Sequence, residues 1–278
     1  MKHTQKIAMV MITSLLTACV HHQQNIDTTS LTSLQQAYAV DPSPLAGTDT
    51  IDSSHLRFKA LQDAAMSLGA QGGLAATYLQ INENLSKDKR HLETIFNFNG
   101  MLLSHGVLPP ILMESNNSLN QDNPDTLRIA DKTYKIIQQA RFVTTPPNWR
   151  EYLWQDYQKP DLPDKVLLPK TREERDIWAK YIQLGWDKGI QQAYTIFQQN
   201  LARLKRDYQG MILYRKLLQE KMISAPFVSK TELGVTGNGQ DMRVNDQVLR
   251  ITVHPELQTD SQGWRAVVVK QDDNNSNG

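Results

Sequence analysis

The strongest periodicity in the chain lies in its second half. Trp178, Ile182, Trp186, Ile190, Ala193, Phe197, Leu201, Leu204 and Tyr208 recur every three or four positions. That spacing predicts one long helix with an apolar stripe. Thr171-Arg172-Glu173-Glu174, just after Pro169, is a capping box that starts it. At 1.5 Å per residue, some 35 residues make a rod of about 50 Å. Gly185 and Gly189 lie one turn apart and let another backbone approach. The pattern resumes after Gly210 with Ile212, Leu213, Leu217 and Leu218, and stops near Ala225-Pro226.

Residues 53–106 also read as helix. Ser53 or Ser54 can cap it, and Leu56, Ala60, Ala64 and Leu68 keep the helical spacing. Gly69, Gly72 and Gly73 cost about 1 kcal/mol each relative to Ala, and permit a bend or a close helix crossing. A second helix is expected from about Ser86, through Leu92, Ile95, Phe96 and Leu103, until Pro109-Pro110 ends it.

Alternation is weaker elsewhere. Residues 115–125 are Asn- and Ser-rich and read as a polar loop. Residues 126–144 read as a β-hairpin turning at Ala130-Asp131-Lys132, with Leu127, Ile129, Tyr134, Ile136 and Phe142 on its strands. Gly234, Gly237 and Gly239 sit in a loop. Arg243-Val244, a turn at Asn245-Asp246 and Val248–Val253 read as a second hairpin, with Ala266–Val269 as a last strand. The expected fold is α+β: a helical body around one long central helix, with small antiparallel hairpins. A single domain is expected over 53–270, and 271–278 reads as a disordered tail.

The N-terminus carries a different signal. Lys2 and Lys6 precede Ile7–Ala18, twelve uncharged residues, too few to span a bilayer and suited to a secretory h-region. Leu16-Thr17-Ala18-Cys19 is a lipobox. Cleavage between Ala18 and Cys19 would leave the Cys19 thiol to carry diacylglycerol. The competing reading is an ordinary signal peptide that happens to contain a cysteine. Residues 19–52 then form a polar tether, although Leu31, Leu34, Ala37 and Tyr38 can make one helical turn or dock on a partner. Val20, where an Asp would signal inner-membrane retention, favours the outer membrane.

Composition narrows the chemistry. Cys19 is the only cysteine in 278 residues, so a disulfide framework, a Cys-rich zinc site and an iron–sulfur cluster are excluded. The formal charge of +1 offers nothing to nucleic acid. No nucleophile elbow, His-Glu-x-x-His helix or Walker loop occurs. Gly234-Val-Thr-Gly237-Asn-Gly239 lacks the strand–turn–helix setting of a dinucleotide fingerprint. Glu173 and Glu174 fit the first turn of a helix better than a catalytic pair. His91, His105 and His254 are scattered, and His21-His22 sit on the tether. Arg203, Lys205 and Arg206 read as a solvated face. No catalytic residue, metal or cofactor is expected. The one segment with binding character is Pro146, Pro147, Trp149, Arg150 and Tyr152, which reads either as a wedge packing a loop onto the helices or as a contact with a neighbouring subunit.

Several blocks resemble the DotC family. They are Arg128-Ile-Ala-Asp-Lys-Thr-Tyr134, Ala140 through Leu153 with its Pro146-Pro147-Asn148-Trp149-Arg150 core, Leu184-Gly185-Trp186-Asp-Lys-Gly189, Arg206-Asp207-Tyr208-Gln209-Gly210-Met211, and Ser224-Ala225-Pro226-Phe227-Val228. The likeness runs over about 55–265. The resemblance implies an outer-membrane lipoprotein of the Dot/Icm type IVB secretion core complex, related to TraI proteins of conjugative plasmids. It implies no catalysis. It also implies partners: a DotD-like lipoprotein, a DotH-like outer-membrane ring subunit, and copies of the chain itself in a ring. The alternatives are a periplasmic cell-wall-binding or peptidoglycan-hydrolysing lipoprotein, and a small-molecule binder.

Overall fold

The computed structural model describes residues 26–38 and 51–265. Two long helices form its spine, α2 (Ile51–Lys87) and α5 (Arg172–Gln219). A 48-residue α5 is about 70 Å long. The Thr171–Glu174 capping box is formed on both sides, and the helix runs unbroken through Gly210, past the expected interruption.

The two helices are parallel. Arg57 meets Glu174 near their N-terminal ends, Gly73 lies against Trp186 further along, and Ile81 and Leu85 share a core cluster with Leu204. Glycines bring the backbones together. A Cβ built on Gly73 would lie 2.5 Å from the Trp186 carbonyl oxygen. On Gly185 it would lie 2.9 Å from the Ala70 nitrogen, and on Gly189 2.8 Å from the Leu74 nitrogen. Gly69, against the Ile182 carbonyl, completes a reciprocal pair of glycines one turn apart on each helix. The expected close crossing is therefore present, and α2 needs no bend at these positions to make it.

Parallel neighbours need a long crossover, and residues 88–171 supply it. This segment holds α3 (Lys89–Ile95), β1 (Val107–Leu108), β2 (Ile111–Asn123), β3 (Thr126–Gln138), β4 (Arg141–Phe142) and α4 (Trp149–Leu153). After α5 come β5 (Phe227–Gly237) and β6 (Met242–Val253). Three separate antiparallel pairs result: β1 with β4, β2 with β3, and β5 with β6. This is the anticipated α+β fold, with larger hairpins than expected.

Both hairpins differ from the sequence reading in register. The Asn-rich stretch 115–125 is not a loop: most of it is the outer half of β2, and the turn lies at Asn123-Pro124-Asp125-Thr126. Ala130-Asp131-Lys132 is strand, with Asn116 opposite Lys132. In the second ribbon β6 is continuous. Asn245-Asp246 is a bulge opposite Gly234, with Asn245 at φ 57 and Gly234 at φ 77, and the chain reverses instead at Asn238–Asp241. Backbone pairing over a whole ribbon outweighs the weak strand preference of Asn and Ser.

Part of the stretch expected as tether is packed on the body. Residues 26–38 carry α1 (Leu31–Gln35) across the α2–α5 seam. Leu34 is 0% exposed, among Leu61, Leu68, Trp178 and Ile182, and the Trp178 indole Nε1–H donates to its carbonyl at 2.9 Å. The helical turn foreseen at Leu31–Tyr38 thus docks on the chain's own core.

Glu174 ties helix start to helix pair. It is 5% exposed, accepts from the Lys170 and Thr171 backbone N–H groups, and pairs with Arg57 at 2.7 Å. Burial alone would raise its pKa, but the Arg57 guanidinium and those amides hold it below the ordinary 4.5. A depressed carboxylate contributes stability that is complete above its unfolded value and is lost as pH falls through its folded one. Wild type should therefore lose melting temperature steeply below about pH 4.5, and Glu174→Gln should be less stable at neutral pH with a flatter acid limb. Parallel acid limbs in thermal melts would contradict this.

Candidate interaction surfaces

The five residues singled out as a candidate interface are half-buried or buried. Pro146 and Pro147 are half-buried and lead into α4, whose N-cap Asn148 closes a capping box with Glu151. Trp149 is 1% exposed and belongs to a core cluster with Leu85, Phe98, Leu108, Ile111, Leu153 and Met211. Its ring lies inside the chain's own core and has no free face to offer a neighbour. Arg150 caps the ring, 4.4 Å from its centroid, and pairs with Glu93 at 3.2 Å.

Tyr152 lies parallel to Phe98, with ring centroids 6.1 Å apart, and its hydroxyl reaches Asp207 at 3.2 Å. Burial, reinforced by the Asp207 charge, pushes that hydroxyl up to about 12. Arg206 holds Asp207 from the other side at 2.7 Å, and Arg203 lies over the Tyr152 ring. Part of the expected basic face is thus committed to fastening α4 onto α5. The segment is the packing wedge, and Arg150 is its accessible rim.

Cys19 and Ala18, the expected lipidation and cleavage residues, lie outside the described residues, as does the expected strand at 266–269. Among the described residues, no three His, Cys, Asp or Glu side chains gather to hold a metal, and no helix is long and apolar enough to cross a membrane. A cleft of about 430 Å³ opens at the root of the second ribbon between Leu103, Val107, Tyr214, Leu218, Pro226 and Val228. His105 also lines it, and burial pushes the Tyr214 hydroxyl up to about 12.

Much of the accessible apolar surface is on the two ribbons, which sequence reading did not single out; Leu56, Leu79 and Val166 are exposed elsewhere on the body. The first is rooted by Leu112, Tyr134 and Ile136 against Tyr214 and Leu217. Beyond that root Leu119 and Ile129 face each other across the strands, each 66% exposed, with Leu127 beside them. The second ribbon exposes Phe227 opposite Val253, then Val235, Val244 and Met242, the last 72% exposed. Among the described residues, each two-stranded ribbon leaves both outer edges without a strand partner. An isolated two-stranded hairpin is marginal in water, and an apolar open edge invites another strand. Val248, Ile251, Thr252 and Val253 carry a β-branched strand signal that the sequence shows, whereas Val235 stands among the glycines of a stretch that reads as loop.

The described residues thus form a two-helix spine that carries two ribbons with exposed apolar side chains. Residues 55–266 match the model of the TraI family, described as type IV secretory system, conjugal DNA–protein transfer. The chain belongs to that family. The matched span takes in all of the spine but the first four residues of α2, and both ribbons, of this type IV secretory protein. No curated protein sequence matches the chain.

Proposed function

We propose that this protein is a non-enzymatic outer-membrane lipoprotein, facing the periplasm, that builds the core complex of a type IVB secretion system. Acyl chains on Cys19 anchor it. One chain holds only marginally and two or three hold firmly, at about 0.8 kcal/mol per buried CH₂. The spine holds β2–β3 against α5, and β5–β6 extends from the chain that follows α5. Their open edges and exposed apolar side chains dock a DotD-like lipoprotein, a DotH-like ring subunit and neighbouring copies of the chain, by strand addition and side-chain packing. Positioning partners at the membrane for effector translocation is then its task.

The observation that carries this reading is the pair of long ribbons, the first rooted in the core, both with exposed apolar side chains. The family match and the lipobox support it. The experiment compares wild type, Cys19→Ser and the double variant Val235→Asp with Val244→Asp in cells. Cys19→Ser should leave a folded protein that no longer fractionates with outer membranes. The double variant should melt within about 0.5 kcal/mol of wild type, since exposed positions carry little stability, yet co-purify with far less of its partners. Normal fractionation of the first removes the anchoring step, and normal partner recovery with the second removes the ribbon as docking site. The cell-wall alternative is tested by incubation with purified peptidoglycan, where released product would overturn the non-enzymatic assignment.

A further inference from the structure

Residues 26–38 decide how far the body can stand from its anchor. If α2 were the first packed element, thirty-two peptide steps would separate Cys19 from Ile51, a contour of at most about 110 Å. Ile26 is already packed on the body, and it lies seven steps from Cys19, which span at most about 25 Å. That segment is well held. Leu34 and Ala37 are buried in the core, Trp178 Nε1–H donates to the Leu34 carbonyl at 2.9 Å, and Gln35 Nε2 donates to Gln183 at 3.2 Å. Thr28 is also buried, with its carbonyl against Gly72, where a Cβ would come within 2.7 Å. Asp27 meets Lys159 at 3.5 Å.

We infer that residues 26–38 are a latch that shortens the lipid leash and presses one face of the body toward a phospholipid leaflet. This rests on acylation of Cys19 as proposed above. The face is the one where Asp27, Lys159 and the middle of α2 around Gly72 come together. The latch bypasses the long connection from 39 to 50, so the body cannot drift outward along it.

Two insertions test this without touching the core. A flexible 20-residue Gly/Ser segment goes either after Gln23, ahead of the latch, or after Pro44, behind it. The full-length chain with Gln158→Cys, beside Lys159, is isolated from membranes and labelled with a donor dye; acylated Cys19 offers no competing thiol. It is reconstituted in phosphatidylethanolamine/phosphatidylglycerol vesicles carrying an acceptor lipid. The insertion ahead of the latch raises the root-mean-square reach from about 15 Å to about 29 Å, and energy transfer should fall at least twofold. The insertion behind the latch should leave transfer unchanged. Equal loss from both, or from neither, overturns the latch. A chain that does not float with the vesicles is seen before any transfer is measured; it refutes acylation, and the latch with it.

Discussion

Gly185→Leu is expected to unfold the body at temperatures where wild type is intact. Even a methyl group there would sit 2.9 Å from the Ala70 nitrogen and against the Met66 carbonyl, both of them backbone. A clash with a flexible side chain is relieved by a rotamer change, whereas a clash with a helix backbone is relieved only by moving the helix. Core overpacking ordinarily costs about 1–3 kcal/mol and exceeds that where nothing can yield. The loss at Gly185 should exceed about 3 kcal/mol, a fall of roughly 10 °C in Tm for a body of this size. Gly189→Leu should behave alike. Gly239→Leu, at a loop position with nothing within 4 Å of a Cβ, is the control and should change Tm little. Circular dichroism melts of the three variants decide the matter, and an unchanged Tm for Gly185→Leu would mean that α2 and α5 do not meet there.

Trp149→Ala is expected to lose about 3–5 kcal/mol of stability, the usual cost of removing a large aromatic side chain from a core. The ring is 1% exposed and touches side chains from α2, the crossover and α5. Its removal opens a void where these elements meet. Arg150→Ala, which uncovers the ring and removes a half-exposed ion pair with Glu93, should cost under about 1 kcal/mol. If Trp149→Ala melts like wild type while assembly fails, the residue belongs to an interface and not to the core. The read-out is the isolated protein's denaturation midpoint beside its recovery in the assembled complex.

The spine was readable because helical periodicity is a local property. Trp178, Ile182 and Leu204 recur on one stripe, and all three are fully buried. The capping box at Thr171–Glu174 and the paired glycines could be read for the same reason. The ribbons were only half readable. Asn116, Asn117 and Ser118 have a loop-like composition, and nothing within the segment says that Lys132 and Ala130 will lie opposite them. Strand register is set between segments, by a turn and a root in the core. The Trp149 segment was ambiguous for a related reason: aromatic residues beside Arg have the same composition in an interface and in a packed wedge, and only the burial of Trp149 favours the wedge.

By itself the sequence determined the helical spine, its start, its close-contact glycines, the single thiol at position 19 and the family blocks. All of these are written in residues near one another along the chain. Only the tertiary structure decided that α2 and α5 run parallel, that Trp149 points inward, that the Asn-rich stretch is strand, and that Leu34 seals the spine against the segment leading from Cys19. Those outcomes depend on which distant apolar surfaces meet. Burial is a property of such pairs of surfaces and cannot be read from either one alone.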